Sequence, residues 1–301
     1  MEVVRNKQVQ TNVKTKSASP WSIAKRKFLK NKLAMISLIF LLIVSFASIL
    51  APYITTHDIT RVDFLKITLE PSSENWLGTD SNGRDVFTRL LHGGRTSLLI
   101  GISCMLLITI IGTIVGAIAG YFGGIIDNML MRFTDFVLLF PFIPFVIVIN
   151  TILIGKVSGV WTLISVISFL SWGGVARIVR SKILSEKENE YVLAAVSSGC
   201  SPSKVIIKHI LPNVSSTIIV QATLILAIMI VIESGLSFIG FGVTADIPTW
   251  GNMLSEARQS DVLRDKIWMW MPPAGMITFT ILAINFIGEG LKDALNPKSY
   301  R

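Results

Sequence analysis

The sequence predicts an all-α membrane protein of six transmembrane helices, with both termini cytoplasmic and a helical cytoplasmic loop between spans four and five. Composition is the first observation behind this: 51% of the 301 residues are hydrophobic and 16% are charged, where soluble domains carry about 25% charged residues. The second is a set of six apolar stretches, each near the ~20 residues that a helix needs to cross a bilayer. Helices keep every backbone hydrogen bond internal, as hydrocarbon demands. The third is charge. Of the 28 Lys and Arg, nineteen fall on segments that this topology places inside and nine on those outside, the usual bias toward basic inner loops.

In order, residues 1–32 are polar and basic and read as a cytoplasmic tail ending in a short basic helix from Trp21 to Lys32. The membrane domain runs from 33 to 291. Its first span, 33–51, stops at Pro52; it is too long for the ~7–15-residue apolar core of a secretory signal and is expected to stay uncleaved. Residues 52–96 form an extracytoplasmic segment with a short helix before span two, 97–122. A turn at 126–132 leads to span three, 133–155, where Pro141 and Pro144 should bend the helix, as a static kink or as a hinge. A turn at Lys156 precedes span four, 159–179. Span five, 214–240, is followed by a second extracytoplasmic segment, 241–271, whose Trp250, Trp268 and Trp270 suit a membrane interface. Span six, 272–291, leads into a cytoplasmic tail, 292–301.

The inner loop, about 181–212, holds the most structured signal. Glu186, Glu188 and Glu190 lie just ahead of or in the first turn of a helix, which suits its dipole. Tyr191, Ala194, Ala195 and Ser198 recur at i, i+3, i+4 and i+7 and form a narrow small-residue face. Gly199 suits a helix stop. Ser201 and Pro202 read as an N-cap and a first-turn proline, opening a second helix with Val205, Ile206 and Ile210 that Pro212 ends. A short helix with an alanine face fits a groove of another protein; a surface helix without a partner accounts for the same residues.

Glu233 is the one carboxylate deep in an apolar run. Such charges tend to line a pathway or hold a gate; the alternative is local bonding to backbone groups beside Gly235. Asn150 and Asn285 are candidates for the same pathway, or interhelical hydrogen bonds. Gly112, Gly116 and Gly120 share a face of span two and let another helix approach closely, from this chain or from a sister subunit. Arg84, Asp85, Arg89 and Arg95 flank span two outside, placed to meet a binding partner or to pair locally. His57, His92 and His209 are scattered, and Cys104 and Cys200 are lone, so no metal site, disulfide framework or catalytic triad is expected. No Gly-x4-Gly-Lys-Ser/Thr phosphate loop occurs, and no basic domain with interleaved aromatics points to nucleic acid.

The inner loop resembles the EAA loop of ABC importer permeases, whose pattern is Glu-Ala-Ala, three residues, Gly, and further on a hydrophobic residue followed by Leu-Pro. Ala194, Ala195, Gly199 and Ile210-Leu211-Pro212 match, while Leu193 stands where the family has glutamate. Glu190, one turn earlier, is the substitute charge nearest to hand. Further stretches resemble the dipeptide/oligopeptide permease family, in its second or C-type subunit. They are Trp76-Leu-Gly-Thr-Asp80-Ser-Asn-Gly-Arg84-Asp85, Glu233-Ser-Gly-Leu-Ser-Phe-Ile-Gly-Phe-Gly242, Pro248-Thr-Trp-Gly-Asn-Met-Leu254 and Asn285-Phe-Ile-Gly-Glu-Gly-Leu-Lys-Asp-Ala-Leu-Asn-Pro297. In the last, Glu289, Lys292 and Asn296 replace the family's Asp, Arg and Asp.

This resemblance implies a multi-pass subunit of a bacterial inner-membrane importer working by alternating access. The chain would pair with a homologous second permease and form half of the pathway. Two ATPase subunits would dock on the inner face, each taking one permease's coupling loop, here through Glu190, Tyr191, Ala194, Ala195, Gly199, Ser201, Leu211 and Pro212. ATP and Mg would bind those subunits, leaving this chain without a cofactor and without bond chemistry. An extracytoplasmic binding protein would deliver di- or oligopeptides; nickel or metal chelates are the alternative cargo. A self-contained secondary transporter is the reading of another class. Internal repeats and paired intramembrane carboxylates would mark it, and the sequence offers one such carboxylate and no convincing repeat.

Overall fold

A computed structural model describes residues 20–153 and 159–295. The expected tail up to residue 19, the turn at Lys156 and the tail from Asn296 onward lie outside the described residues. Among the described residues the chain is helical or irregular, apart from an isolated bridge between Thr79 and Asp85. Five of their helices are long and apolar enough to cross a membrane, or six if one bent pair counts as a span.

Helix α1 (Pro20–Lys30) turns at Asn31, whose Oδ1 accepts the Ala34 N–H at 3.1 Å and caps α2 (Lys32–Ile49). The short α3 (Ala51–Ile54) leads into an irregular segment, with one 3-10 turn at Phe64–Lys66. Helix α4 (Val86–Phe122) has 37 residues, about 55 Å at 1.5 Å per residue, against about 30 Å of hydrocarbon. It starts at Val86 rather than at residue 97, so Arg89 and Arg95 lie on its first turns and not on a loop. Asp85 sets that start: its Oδ2 accepts the Thr88 N–H at 2.7 Å.

The expected third span is two helices, α5 (Gly124–Leu138) and α6 (Phe142–Leu153), bent by 78°. Pro141 sits at the break. It has no N–H to donate and disfavours helical backbone in the residue before it, so a break replaces the expected bend within one helix. Helix α7 (Gly159–Glu186) runs beyond the expected span, α8 (Glu190–Ser197) follows, and α9 (Pro202–Lys204) passes through a π turn (Val205–Ile210) into α10 (Leu211–Phe238). Pro212 therefore does not end the second loop helix. It lacks the N–H that a regular helix aims at residue 208, and the wide turn, with Leu211 N–H on the Ile206 carbonyl, lets the helix continue. Helices α11 (Trp250–Leu254) and α12 (Ser260–Asp265) precede α13 (Ile267–Leu295).

Packing centres on α4 against α7. A Cβ on Gly112 would stand 2.5 Å from Val175 Cβ, one on Gly116 2.5 Å from the Ala176 carbonyl, and one on Gly120 2.9 Å from the Arg180 carbonyl. The glycine face therefore seats a helix of this same chain, not a sister subunit. Helix α10 packs on α4 and α13, and α13 on α2. Leu33, Ile36, Ile43 and Phe46 of α2 face outward, each more than half exposed, as a lipid-facing helix allows. The helices alternate in direction. Helices α1 and α8, the α4–α5 turn and the end of α13 share one end of the bundle, where Leu295 borders Ala24 and Phe28. The segment from α3 to Asp85 and helices α11 and α12 occupy the other.

Candidate coupling site

Helix α8 sits on the body through Val192 and Ala195, 1% and 8% exposed. Its outer face carries Glu190, Leu193, Ala194 and Val196, with Leu193 54% and Val196 48% exposed. Ala195 thus belongs to the packed underside and not to the face grouped from spacing; small residues read alike on either side of a short helix. Glu190 and Leu193, three apart, share the outer surface. Gly199 closes the helix at φ +77°, with the Cys200 N–H on the Ala195 carbonyl at 3.1 Å and the Gly199 N–H on the Val196 carbonyl at 2.9 Å. This is a Schellman cap, whose left-handed position favours glycine. Ser201 has the extended backbone of an N-cap, but its side chain makes no capping bond. Leu211 is half-buried against the core and Pro212 is exposed.

Tyr191 points its hydroxyl at both flanking spans. It donates to Glu186 Oε2 at 2.7 Å and accepts from Asn213 Nδ2 at 3.1 Å; Asn213 also donates to the His209 carbonyl at 2.7 Å. Partial burial, and then the Glu186 carboxylate, push the phenol above its ordinary pKa. The hydroxyl therefore keeps its proton, and its role as donor, across the physiological range.

At the other end, Glu233 is fully buried. Its Oε2 accepts from Ser97 Oγ at 3.0 Å and its Oε1 from Ser237 Oγ at 2.9 Å, while the Trp250 N–H donates to Ser97 Oγ at 3.1 Å. The carboxylate is enclosed by α4, α10 and α11 and held by hydroxyls, rather than by the backbone near Gly235 or by an open pathway. Trp250 is itself fully buried, its Nε1–H donating to the Leu90 carbonyl at 3.0 Å, so it is a core residue and not an interfacial aromatic. Asn150 donates to the Phe241 and Gly242 carbonyls at 2.8 and 3.1 Å, tying α6 to the chain after α10. Asn285 lies exposed on α13. The three pathway candidates do not meet in one site.

Arg84, Asp85 and Arg89 are 8%, 6% and 3% exposed and present little surface to a partner; of that set only Arg95 is exposed. Arg84 Nε donates to Asp80 Oδ2 at 2.7 Å, Arg89 Nε lies 3.5 Å from the same oxygen, and Asn75 Nδ2 donates to Asp85 Oδ1 at 2.9 Å. Ser81 Oγ donates to Glu256 Oε2 at 2.5 Å and so joins the two long segments of that end. Sequence reading missed Asp80, Ser81 and Glu256 as partners, because 175 residues separate the last two. The Thr249 to Asn252 capping box that starts α11 was the readable sign that this segment is folded.

On the α8 side, Arg180 pairs with Asp127 through Nε and Nη2, both at 2.5 Å, and Arg177 with Asp135 at 2.5 Å, fastening α5 to α7. A cavity of about 390 Å³ opens between the α5–α6 bend, α7 and α10; Ser171 and Gln221 are its polar lining among Val137, Phe142, Ile225 and Met229.

An all-helical bundle with a capped helix exposed on a loop between two spans fits the comparisons with known proteins. The family described as "Binding-protein-dependent transport system inner membrane component" matches residues 112–300, and "N-terminal TM domain of oligopeptide transport permease C" matches residues 19–71. The chain is 38% identical over 290 residues to the dipeptide transport system permease protein DppC of Bacillus subtilis, covering 96% of this chain and 89% of that one. To the oligopeptide transport system permease protein OppC of Escherichia coli K12 it is 38% identical over 282 residues, 93% of this chain and 92% of the relative. OppC of Bacillus subtilis is 37% identical over 286 residues, 95% and 92% of the two chains. With the whole bundle covered by such matches, the chain belongs to the binding-protein-dependent transport system inner membrane components, as a permease subunit of the ABC peptide-transport type.

Proposed function

We propose that this chain forms half of the translocation pathway of an ATP-driven importer of di- or oligopeptides in a bacterial inner membrane, and takes its drive through α8 from a separate ATPase subunit. The outer face of α8 carries the reading. Leu193 and Val196 are about half exposed beside Ala194 and Glu190, and an eight-residue helix with that much apolar surface calls for a groove to cover it. The Schellman cap and the buried Val192 and Ala195 make α8 a rigid unit, which suits a part that passes on motion. Peptide as cargo rests on the relatives' names; nickel or metal chelates are the alternative.

The α8 end lies in the cytoplasm in this reading, with α1 and the end of α13 beside it. ATP and Mg belong to the docked subunits, in keeping with the missing phosphate loop, and this chain performs no bond chemistry. A homologous permease covers its open face, and the cavity beside Ser171 and Gln221 is its share of the pathway wall. Arg95 is the remaining exposed candidate for contact with a binding protein. Glu233, bonded by two hydroxyls inside the bundle, gives a gradient-driven secondary transporter no free carboxylate to use.

Co-purification tests this. The tagged chain, co-expressed with its neighbouring genes and extracted in mild detergent, is expected to bring down a second permease and ATPase subunits. Leu193→Arg, on an exposed position that leaves the fold intact, should release the ATPase and keep the permease. Purification alone, with gradient-driven uptake in liposomes lacking ATP, would overturn the proposal.

A further inference from the structure

The underside of α8 is apolar, and apolar contact holds a helix in place without fixing its direction. Among the described residues, Tyr191 is the only α8 side chain hydrogen-bonded to another helix. Its partners are placed for transmission. Glu186 is the last residue of α7 and Asn213 the third of α10. One hydroxyl therefore joins the end of one span to the start of the next across the whole loop. The connection continues: Asn213 also holds the His209 carbonyl, inside the π turn that begins the 37-residue run to Phe238. Glu186 Oε2 accepts from both Tyr191 and Asn189 Nδ2, at 2.7 and 2.8 Å, so the carboxylate is fixed from two sides. A hydroxyl that donates to one helix and accepts from another binds both at once, and neither bond survives its removal.

We propose that the Tyr191 hydroxyl is the positioning contact that delivers a displacement of α8 to α7 and α10 together, so that both walls of the Ser171–Gln221 cavity move in step. This rests on α8 being the coupling helix. Docking belongs to the outer residues Leu193, Ala194 and Val196; Tyr191, itself 39% exposed, turns its hydroxyl to Glu186 and Asn213 and sets how much of the docked motion reaches the spans.

The test is the complete reconstituted importer, with cargo moved and ATP hydrolysed measured in the same vesicles. Tyr191→Phe keeps the ring and removes both bonds. Cargo carried per ATP is expected to fall about tenfold, the size of a lost pair of hydrogen bonds of which one is to a charged acceptor. Asn213→Ala should lower the ratio in the same sense, and the double variant should lose less than the two single losses combined, because the two share one contact. Glu186→Gln keeps an acceptor but removes its charge, and should lower the ratio less than Tyr191→Phe does. An unchanged ratio in Tyr191→Phe overturns the proposal, as does a loss of transport with a proportional loss of ATP turnover, which marks a merely structural role. Failure of the underlying reading is separate: there Leu193→Arg leaves the ATPase bound. If Leu193→Arg releases it and Tyr191→Phe couples normally, only the relay falls.

Discussion

Glu233 and Glu256 show how a carboxylate is made tolerable away from water. Glu233 is fully buried and takes two hydroxyl donors, one of which, Ser97, also accepts the Trp250 N–H. Glu256 is half-buried; burial pushes its carboxyl above the ordinary range, against the Ser81 hydroxyl and the nearby arginines, which pull it down. The folded chain therefore binds that proton more tightly than the unfolded one. The stability it contributes is full below the ordinary carboxylate pKa and is lost as pH rises through the raised value. Acidification from neutral pH should raise the melting temperature of wild type relative to Glu256→Gln, in thermal scans of the purified chain. A difference that does not change with pH would show that Glu256 does not titrate in this way.

Helix pairing is decided by what cannot fit between the partners. On α4, Gly112, Gly116 and Gly120 each leave no room for a methyl group against α7. Gly116→Ala should destabilise the chain by about 1–3 kcal/mol, the usual cost of overpacking. Gly235 on α10 is the control, because a methyl group there would meet nothing within 4 Å. Gly235→Ala should fall within about 0.5 kcal/mol of wild type. Thermal unfolding in detergent distinguishes them. Spacing by four marked the glycine face in the sequence, but α7 as its occupant was not legible, because close approach is a property of two surfaces. Helix continuity was misread for a related reason. Pro141 ends α5 while Pro212 is carried through a π turn, and local propensity does not include the turn that absorbs a missing N–H.

For the whole molecule, topology makes a prediction through its two thiols. Cys200 is part-exposed in the loop after α8, and Cys104 is buried between α4 and α7. With the α8 end cytoplasmic, a membrane-impermeant maleimide should label Cys200 in inverted vesicles and not in intact cells lacking an outer barrier, while Cys104 stays unlabelled in both. Labelling of Cys200 from outside would reverse the orientation.

The all-α class, helices long and apolar enough to span a membrane, and the capped loop helix followed from the sequence, because apolar length and Gly199 act through short-range chemistry. Tertiary structure alone decided which way the side chains face. It turned Ala195 inward and left Leu193 outside, closed Glu233 and Trp250 into the core, and buried Arg84 and Arg89 against Asp80. It also joined Ser81 to Glu256 and Tyr191 to Asn213. Those partners meet only when distant segments pack, and desolvation and pairing then set the role of each polar group.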